Sequence, residues 1–250
     1  RSLVIVPEQA DLSLDAVHAL SDYAAGGGTL LLTGPDLIRR FPAEITGVRA
    51  TAEVPDGTFH VPVGPRMAPV YSDSWLGLEP LAETRVLARL HALPLRDEAA
   101  LASPAATLAR CGAGQVICFT GNLFTGYFRS RYPDQRALVA HLIRESGVDL
   151  IDAHAPLGVD LVYRTRDRVV QIHAINRLSG TLTGANDGAV MQIPPIGPVR
   201  IDLRTMPGAS GTQRVESPLG TQTEVSAESL VMPEIRLHEV VELPMEADES

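Results

Sequence analysis

The chain has 250 residues, enough for one or two domains of ordinary size, and two is the expectation. Hydrophobic residues make up 45% of it and charged residues 20%, the balance of a folded globular protein rather than a disordered or fibrous one. Its formal net charge of −9, spread along the chain, argues against a general nucleic-acid binder, which needs clustered basic charge.

Every basic residue is an arginine. Without lysine there is no Schiff base, phosphate-loop lysine or pyridoxal phosphate attachment, and no cofactor is expected. No apolar run approaches the roughly 18 residues that span a bilayer, and no signal-peptide pattern opens the chain, so no membrane partner is expected. Arg1 stands where a methionine would begin a natural chain, which leads to the expectation that the natural protein starts further upstream and leaves its compartment open. Two cysteines, Cys111 and Cys118, are too few for a disulfide framework or a structural zinc site.

In chain order, LVIVP (3–7) is a short apolar run of the kind a strand buried on both faces requires. DLSLDAVHALSDYAAGGG follows as a helix, with Ser13 as N-cap, Leu14, Val17, Leu20 and Ala24 at helical spacing, and Gly26 to Gly28 ending it. TLLLTG (29–34) is a second buried strand, so strand, helix and strand form a parallel βαβ unit. Positions 35 to 104 are rich in Pro and Gly and read as irregular insertions with one or two strands such as FHVPV and TRVLARLHAL. ATLARCGAGQVICFTG reads as two strands around a glycine turn, and PDQRALVAHLIRESG as an amphipathic helix with Leu138, Leu142 and Ile143 facing inward.

After about 150 the helical period stops. GVDLVYRTRDRVVQIHAIN is a hairpin turning at Arg166-Asp167-Arg168, and short alternating strands follow at VRIDLRT, QRVES, TEVSA and LHEVVEL. Strands of this length and regularity indicate an antiparallel sandwich over 151–250, after an α/β domain over 1–150. The acidic tail MEADES is expected to fray.

Catalytic residues are hard to find. Cys111 follows a strand but leads into another strand, so Gly112 and Gly114 are better explained by a hairpin turn than by a nucleophile elbow, and Cys118 lies in an apolar strand. Ser210 in Gly208-Ala209-Ser210-Gly211 misses the elbow spacing by one residue. Asp15 with His18, and Asp152 with His154, lack a third ligand nearby and read as surface residues, so no metal is expected; His173 is read as a residue of the sandwich.

The aromatics carry more. Although aromatic residues are only 4% of the chain, Phe119, Phe124, Tyr127, Phe128 and Tyr132 crowd one stretch, interleaved with Arg129 and Arg131. Tyr127, Phe128 and Arg129 are candidate contacts to another domain or subunit, because Tyr and Arg are enriched in interfaces. Trp75, in the Gly/Ser context YSDSWLG, is a further interface candidate, as a small hydrophobic anchor or a sugar-stacking platform.

The segment LVIVPEQADLSLDAVHALSDYAAGGGTLLLTG resembles the core of the amidotransferase-like β-galactosidase trimerisation domain, and GAGQVICFTGNLFTGYFRSRYPDQRALVAHLI is similar to that family's aromatic turn and last helix. GVDLVYRTRDRVVQIHAINRLSG resembles the first hairpin of the small β domain that follows it in bacterial glycoside hydrolases, with the H-x-x-N pattern at His173 to Asn176. The resemblance implies a flavodoxin-like (class I glutamine amidotransferase-like) parallel sheet followed by a small antiparallel β-sandwich. The strand and helix that precede LVIVP in the family have no counterpart here. It implies a noncatalytic C-terminal region of a glycoside hydrolase, partnered by an upstream catalytic barrel, with a homo-oligomer and a carbohydrate substrate handled by the parent. Two alternatives remain open: a self-sufficient amidotransferase- or peptidase-like hydrolase, and a free-standing sugar-binding or scaffolding module.

Overall fold

The structure, a computed structural model, describes residues 2–95, 101, 103–130, 132–178, 193–206, 222–226 and 228–244. The chain divides into two compact units, 1–149 and 150–250. Ser210, the strand expected at QRVES, the tail MEADES and Arg131 lie outside the described residues.

The first unit runs β1 (Leu3–Val6), α1 (Leu14–Ala25), β2 (Thr29–Thr33), α2 (Pro35–Arg40), α3 (Ala43–Thr46), β3 (Val48–Val54), β4 (Gly57–Val63), β5 (Arg66–Ser72), β6 (Trp75–Pro80), β7 (Arg85–Arg89), β8 (Pro104–Cys111), β9 (Gly114–Phe119), α4 (Leu123–Ser130) and α5 (Pro133–Glu145). Its main sheet has the order β1-β2-β9-β8-β7. β1, β2 and β9 are mutually parallel, whereas β8 and β7 join antiparallel, so the sheet is mixed. β2 and β9 are buried along their whole length, the requirement that made them legible as unbroken apolar runs.

Alternation along these strands feeds two cores. Leu30, Leu32, Val116 and Cys118 pack with Val17 and Ala24 of α1 and with Leu37 and Ile38 of α2. Leu31, Ile117 and Phe119 pack instead with Trp75, Leu123 of α4, and Leu138 and Leu142 of α5. Each such aliphatic side chain contributes about 1.5–3 kcal/mol through the area it removes from water. Helix α1 starts as expected, with the Ser13 hydroxyl accepting from the Ala16 N–H at 3.2 Å. Leu14, however, is 77% exposed: it opens the first turn, and the buried stripe begins at Val17.

The middle of the unit departs from expectation. It holds five strands and two short helices, with β3 paired to β6 and β4 to β5, both antiparallel. FHVPV and TRVLARLHAL, expected as strands, fall on β4 and β7, whereas β5 was passed over, Pro69 within it masking it as a strand, since proline cannot donate to a ladder. The aromatic stretch expected to be a turn is the helix α4, whose backbone passes so close to the Tyr71 carbonyl that a Cβ on Gly126 would collide with it.

In the second unit every pairing among the described residues is antiparallel. One sheet has the order β10-β13-β15-β14 (Ala153–His154, Val199–Asp202, Ser229–Met232, Glu224–Val225) and the other β11-β12-β16 (Val159–Arg166, Val169–Asn176, His238–Pro244). Val170, Ile172, Ala174, Val241 and Leu243 of one sheet share a core with Val199, Ile201, Leu230 and Met232 of the other, as in a sandwich. The β11–β12 hairpin turns through Asp167 (φ 49°) and Arg168 (φ 63°), two left-handed residues in the positions that a two-residue hairpin turn usually gives to Asn and Gly.

Candidate functional site

In open α/β sheets ligands bind beyond the carboxyl ends of the parallel strands. Here that end is occupied by a side chain of the protein itself. Glu8, just after β1, takes a 2.6 Å hydrogen bond from the Thr33 hydroxyl at the end of β2. Its other carboxylate oxygen accepts from the Thr125 N–H in the first turn of α4 at 2.5 Å. The Glu8 N–H returns to the Thr33 hydroxyl at 3.2 Å, and Gln9 donates to the Thr125 hydroxyl at 2.5 Å. Gly34 passes between Glu8 and the Asn122 side chain, and a Cβ there would collide with both.

Cys118 is next to last in β9 but its side chain is buried in the core, and Cys111 lies at the opposite end of the strands. Cys111 closes β8 at the β8–β9 turn, by the first residues of the parallel strand β9. Gly112 holds φ 55° there, and a Cβ on Gly114 would strike the Gly28 and Ala24 carbonyls, so both glycines serve the turn and the close packing of α1. Burial pushes the Cys111 thiol up, and pushes that of Cys118 up to about 12, away from the range of an activated thiolate.

Of the four interface candidates, three lie on α4. Phe128 is 69% exposed, Arg129 is exposed and reaches Asp73 at 3.6 Å, and Tyr127 is half-buried. Asp73 also accepts from the Asn122 amide at 2.7 Å. α4 packs on β5, which exposes Tyr71, and Tyr132 follows α4, also exposed. Sequence reasoning passed over Tyr71; its place on the outward rung of an alternating strand, opposite Thr58, was the available signal.

Trp75 corrects the fourth candidate. It is fully buried within its own unit, its indole N–H donates to the Gly57 carbonyl at 3.1 Å, and its ring meets Phe59 edge-on at 5.5 Å and Phe119 at 5.9 Å. Gly121 lies against the indole so closely that a Cβ would collide with it. A ring enclosed in this way is core and offers neither an interface anchor nor a stacking platform.

The second unit carries a polar cleft of about 270 Å³ whose lining includes Asp152, His154, Arg200, Arg204 and Glu228. Arg204 is clasped by Asp202 through a 2.6 Å and a 2.9 Å hydrogen bond and lies 3.4 Å from Glu228. The hydrogen bonds from Arg204 hold the Asp202 carboxyl below its usual range. These charges answer one another, and among the described residues no three His, Cys, Asp or Glu side chains converge on a metal position. Asp15 and His18 are exposed on α1.

The H-x-x-N pattern has a structural meaning in this fold. Buried Asn176 donates to the carbonyls of Pro194 (2.8 Å), Arg236 (3.0 Å) and Ile235 (3.3 Å) and accepts from the Leu178 N–H at 2.9 Å. One amide thus fastens the end of β12 to two other segments. His173, three residues earlier, meets His238 of β16.

In sequence the chain matches no family model and no curated protein. In fold it is similar to alpha-L-fucosidase isoenzyme 2 from Paenibacillus thiaminolyticus, with a TM-score of 0.67 at 14% identity over 98% of this chain and 41% of that one. It is also similar to a beta-galactosidase from Bacillus circulans sp. alkalophilus (TM-score 0.58, 15% identity, 97% of this chain and 33% of that one). A catalytic mutant of Gan42B, a GH42 beta-galactosidase from G. stearothermophilus, gives 0.58 at 16% identity over 97% and 32%. The chain therefore has the fold of a part of these larger enzymes, and spans less than half the length of each.

Proposed function

We propose that this chain is the noncatalytic C-terminal portion of a glycoside hydrolase. In this reading an amidotransferase-like, trimerisation-type α/β domain (1–150) and a β-sandwich domain (151–250) support an upstream catalytic barrel and a homo-oligomer, and the parent handles the carbohydrate. The observation that carries it is the alignment of 98% of the chain, through both units, with a 41% share of a fucosidase. Two features support it. The crevice beyond the parallel strands is filled by Glu8, and Cys111 belongs to a hairpin turn, not to a strand-to-helix elbow.

Phe128, Arg129 and Tyr127 on α4 form the surface that the barrel or a second subunit covers. Burying one such ring contributes about 1.5–3 kcal/mol. The test has two arms. Incubated with a panel of nitrophenyl glycosides and with glutamine, the chain is expected to give no turnover; turnover abolished by Cys111→Ser would overturn the reading. In the full-length parent, Tyr127→Ser with Phe128→Ser is expected to weaken assembly at least tenfold by sedimentation, about 1.4 kcal/mol. Unchanged assembly would remove α4 from the interface.

A further inference from the structure

The three-stranded sheet of the second unit has an outer face built by alternation. Val170, Ile172, Ala174 and Asn176 of β12 are buried, which turns Gln171, His173 and Ile175 to the opposite side. Pairing fixes their neighbours: Arg164, Gln171 and Glu242 form one rung, Val162, His173 and Val240 the next, and Asp160, Ile175 and His238 the third. His173 and His238 are thus diagonal neighbours on paired strands. His173 Nδ1 lies 3.0 Å from His238 Nε2, with ring centres 5.2 Å apart and planes only 18° from parallel. With the centres that far apart, the two nitrogens point at one another along the line between the rings, the arrangement of an N–H···N hydrogen bond. One proton must lie between them, because two lone pairs repel and two N–H groups clash.

The surroundings make added protons costly. His173 Nε2 is buried with no hydrogen-bond partner among the described residues, so the neutral pair leaves it bare and His173 Nδ1–H donates to His238 Nε2. Arg164, on the strand beside His173, adds positive charge. The acidic groups on this face are engaged elsewhere: Asp160 holds Arg177 at 3.0 Å, and Glu242 accepts from Gln171 at 2.6 Å. Glu239, opposite Ala174, belongs to the other face of the sheet.

We propose that His173 and His238 form a proton-gated latch that fastens the edge strand β16 to β12 at neutral pH and lets it go in mild acid. The first added proton must either sit on the buried His173 Nε2 or set an N–H on His238 Nε2 against the His173 N–H, so it already weakens the contact. The second removes the acceptor and sets two like charges face to face. Burial chiefly, then His238 and Arg164, hold His173 below its ordinary value. A histidine depressed in the folded state lends stability that is complete above its unfolded value of about 6.5 and is lost as pH falls through the folded value. The latch therefore opens below about pH 6.5.

The test is an NMR titration of both imidazoles in the intact chain, with amide hydrogen exchange of β16 corrected for intrinsic rates. His173 is expected to titrate below its ordinary value, with β16 protection falling by up to about tenfold per pH unit between about pH 6.5 and the His173 step. A His173→Gln, His238→Gln double-mutant cycle is expected to give a coupling that stabilises at pH 7 and vanishes or reverses at pH 4.5. Independent titration of both rings near the ordinary value, or a coupling that does not change with pH, would overturn the latch. So would an equimolar zinc ion that raises the melting temperature of the unaltered chain but of neither variant, which would make the pair a metal clamp.

Discussion

In the α/β unit, β2 and β9 are buried at every residue, while in the β unit β12 alternates and β11 becomes exposed after its first residues. The first unit therefore closes by apolar contact and by close backbone approach at Gly34, Gly114 and Gly121, where a single methyl group would collide. The second has one core cluster between two narrow sheets and draws on polar side chains to fasten its segments: Asn176 to three carbonyls, His173 to His238, Arg204 to Asp202. Residues that look chemical in sequence, such as Asn176 and His173, thus serve as fasteners between segments. That difference predicts where each unit is fragile.

The sharpest way to break the comparison is Trp75→Ala. Removing a fully buried indole packed on Phe59 and Phe119 is expected to cost the α/β unit about 3–5 kcal/mol in denaturant unfolding, while the β unit's transition stays in place. A loss shared equally by both units would show that they unfold as one. Asn176→Asp is the counterpart in the β unit. It places a carboxylate against three carbonyl oxygens, with an expected loss of about 3 kcal/mol at pH 7 that shrinks as pH falls toward the ordinary carboxyl value of about 4. If chemical denaturation at pH 7 and pH 3.5 gives the same loss relative to the unaltered chain, the amide is not the fastener described. Phe128→Ser sharpens the contrast from the other side. At 69% exposure this large apolar ring is expected to change the chain's own stability by less than about 0.5 kcal/mol, read as an unmoved thermal midpoint.

Much of this fold could be read from residues alone wherever one local signal dominated. β1, α1 and β2 follow from apolar runs and a serine cap, and the β8–β9 and β11–β12 hairpins from alternation around short turns. α4 was hidden because Gly126 and clustered aromatics suggest a turn, whereas the glycine is there to let the helix backbone reach Tyr71. β4 was legible as FHVPV, but β5 was hidden by a proline that a two-stranded sheet tolerates. At the candidate site, Phe128 and Arg129 are exposed on α4, whereas the burial of Trp75 depends on Phe59, Phe119 and Gly121, which no local window brings together. Glu8 gave no signal at all, since its partners are 25 and 117 residues away.

The Glu8 carboxylate behaves like a ligand tethered to its own receptor. It offers two anionic oxygens to a helix N-terminal amide and a strand-end hydroxyl, the donors that an incoming carboxylate or phosphate would otherwise use. A tethered occupant acts at high effective concentration, so a free anion in solution competes poorly for the same donors. The crevice has in this way been converted from a vacancy into a brace joining the β1–α1 loop, the end of β2 and the first turn of α4. Through that last contact, the helix that presents Phe128 and Arg129 is held by the place beyond the strand ends where open α/β sheets commonly take a ligand.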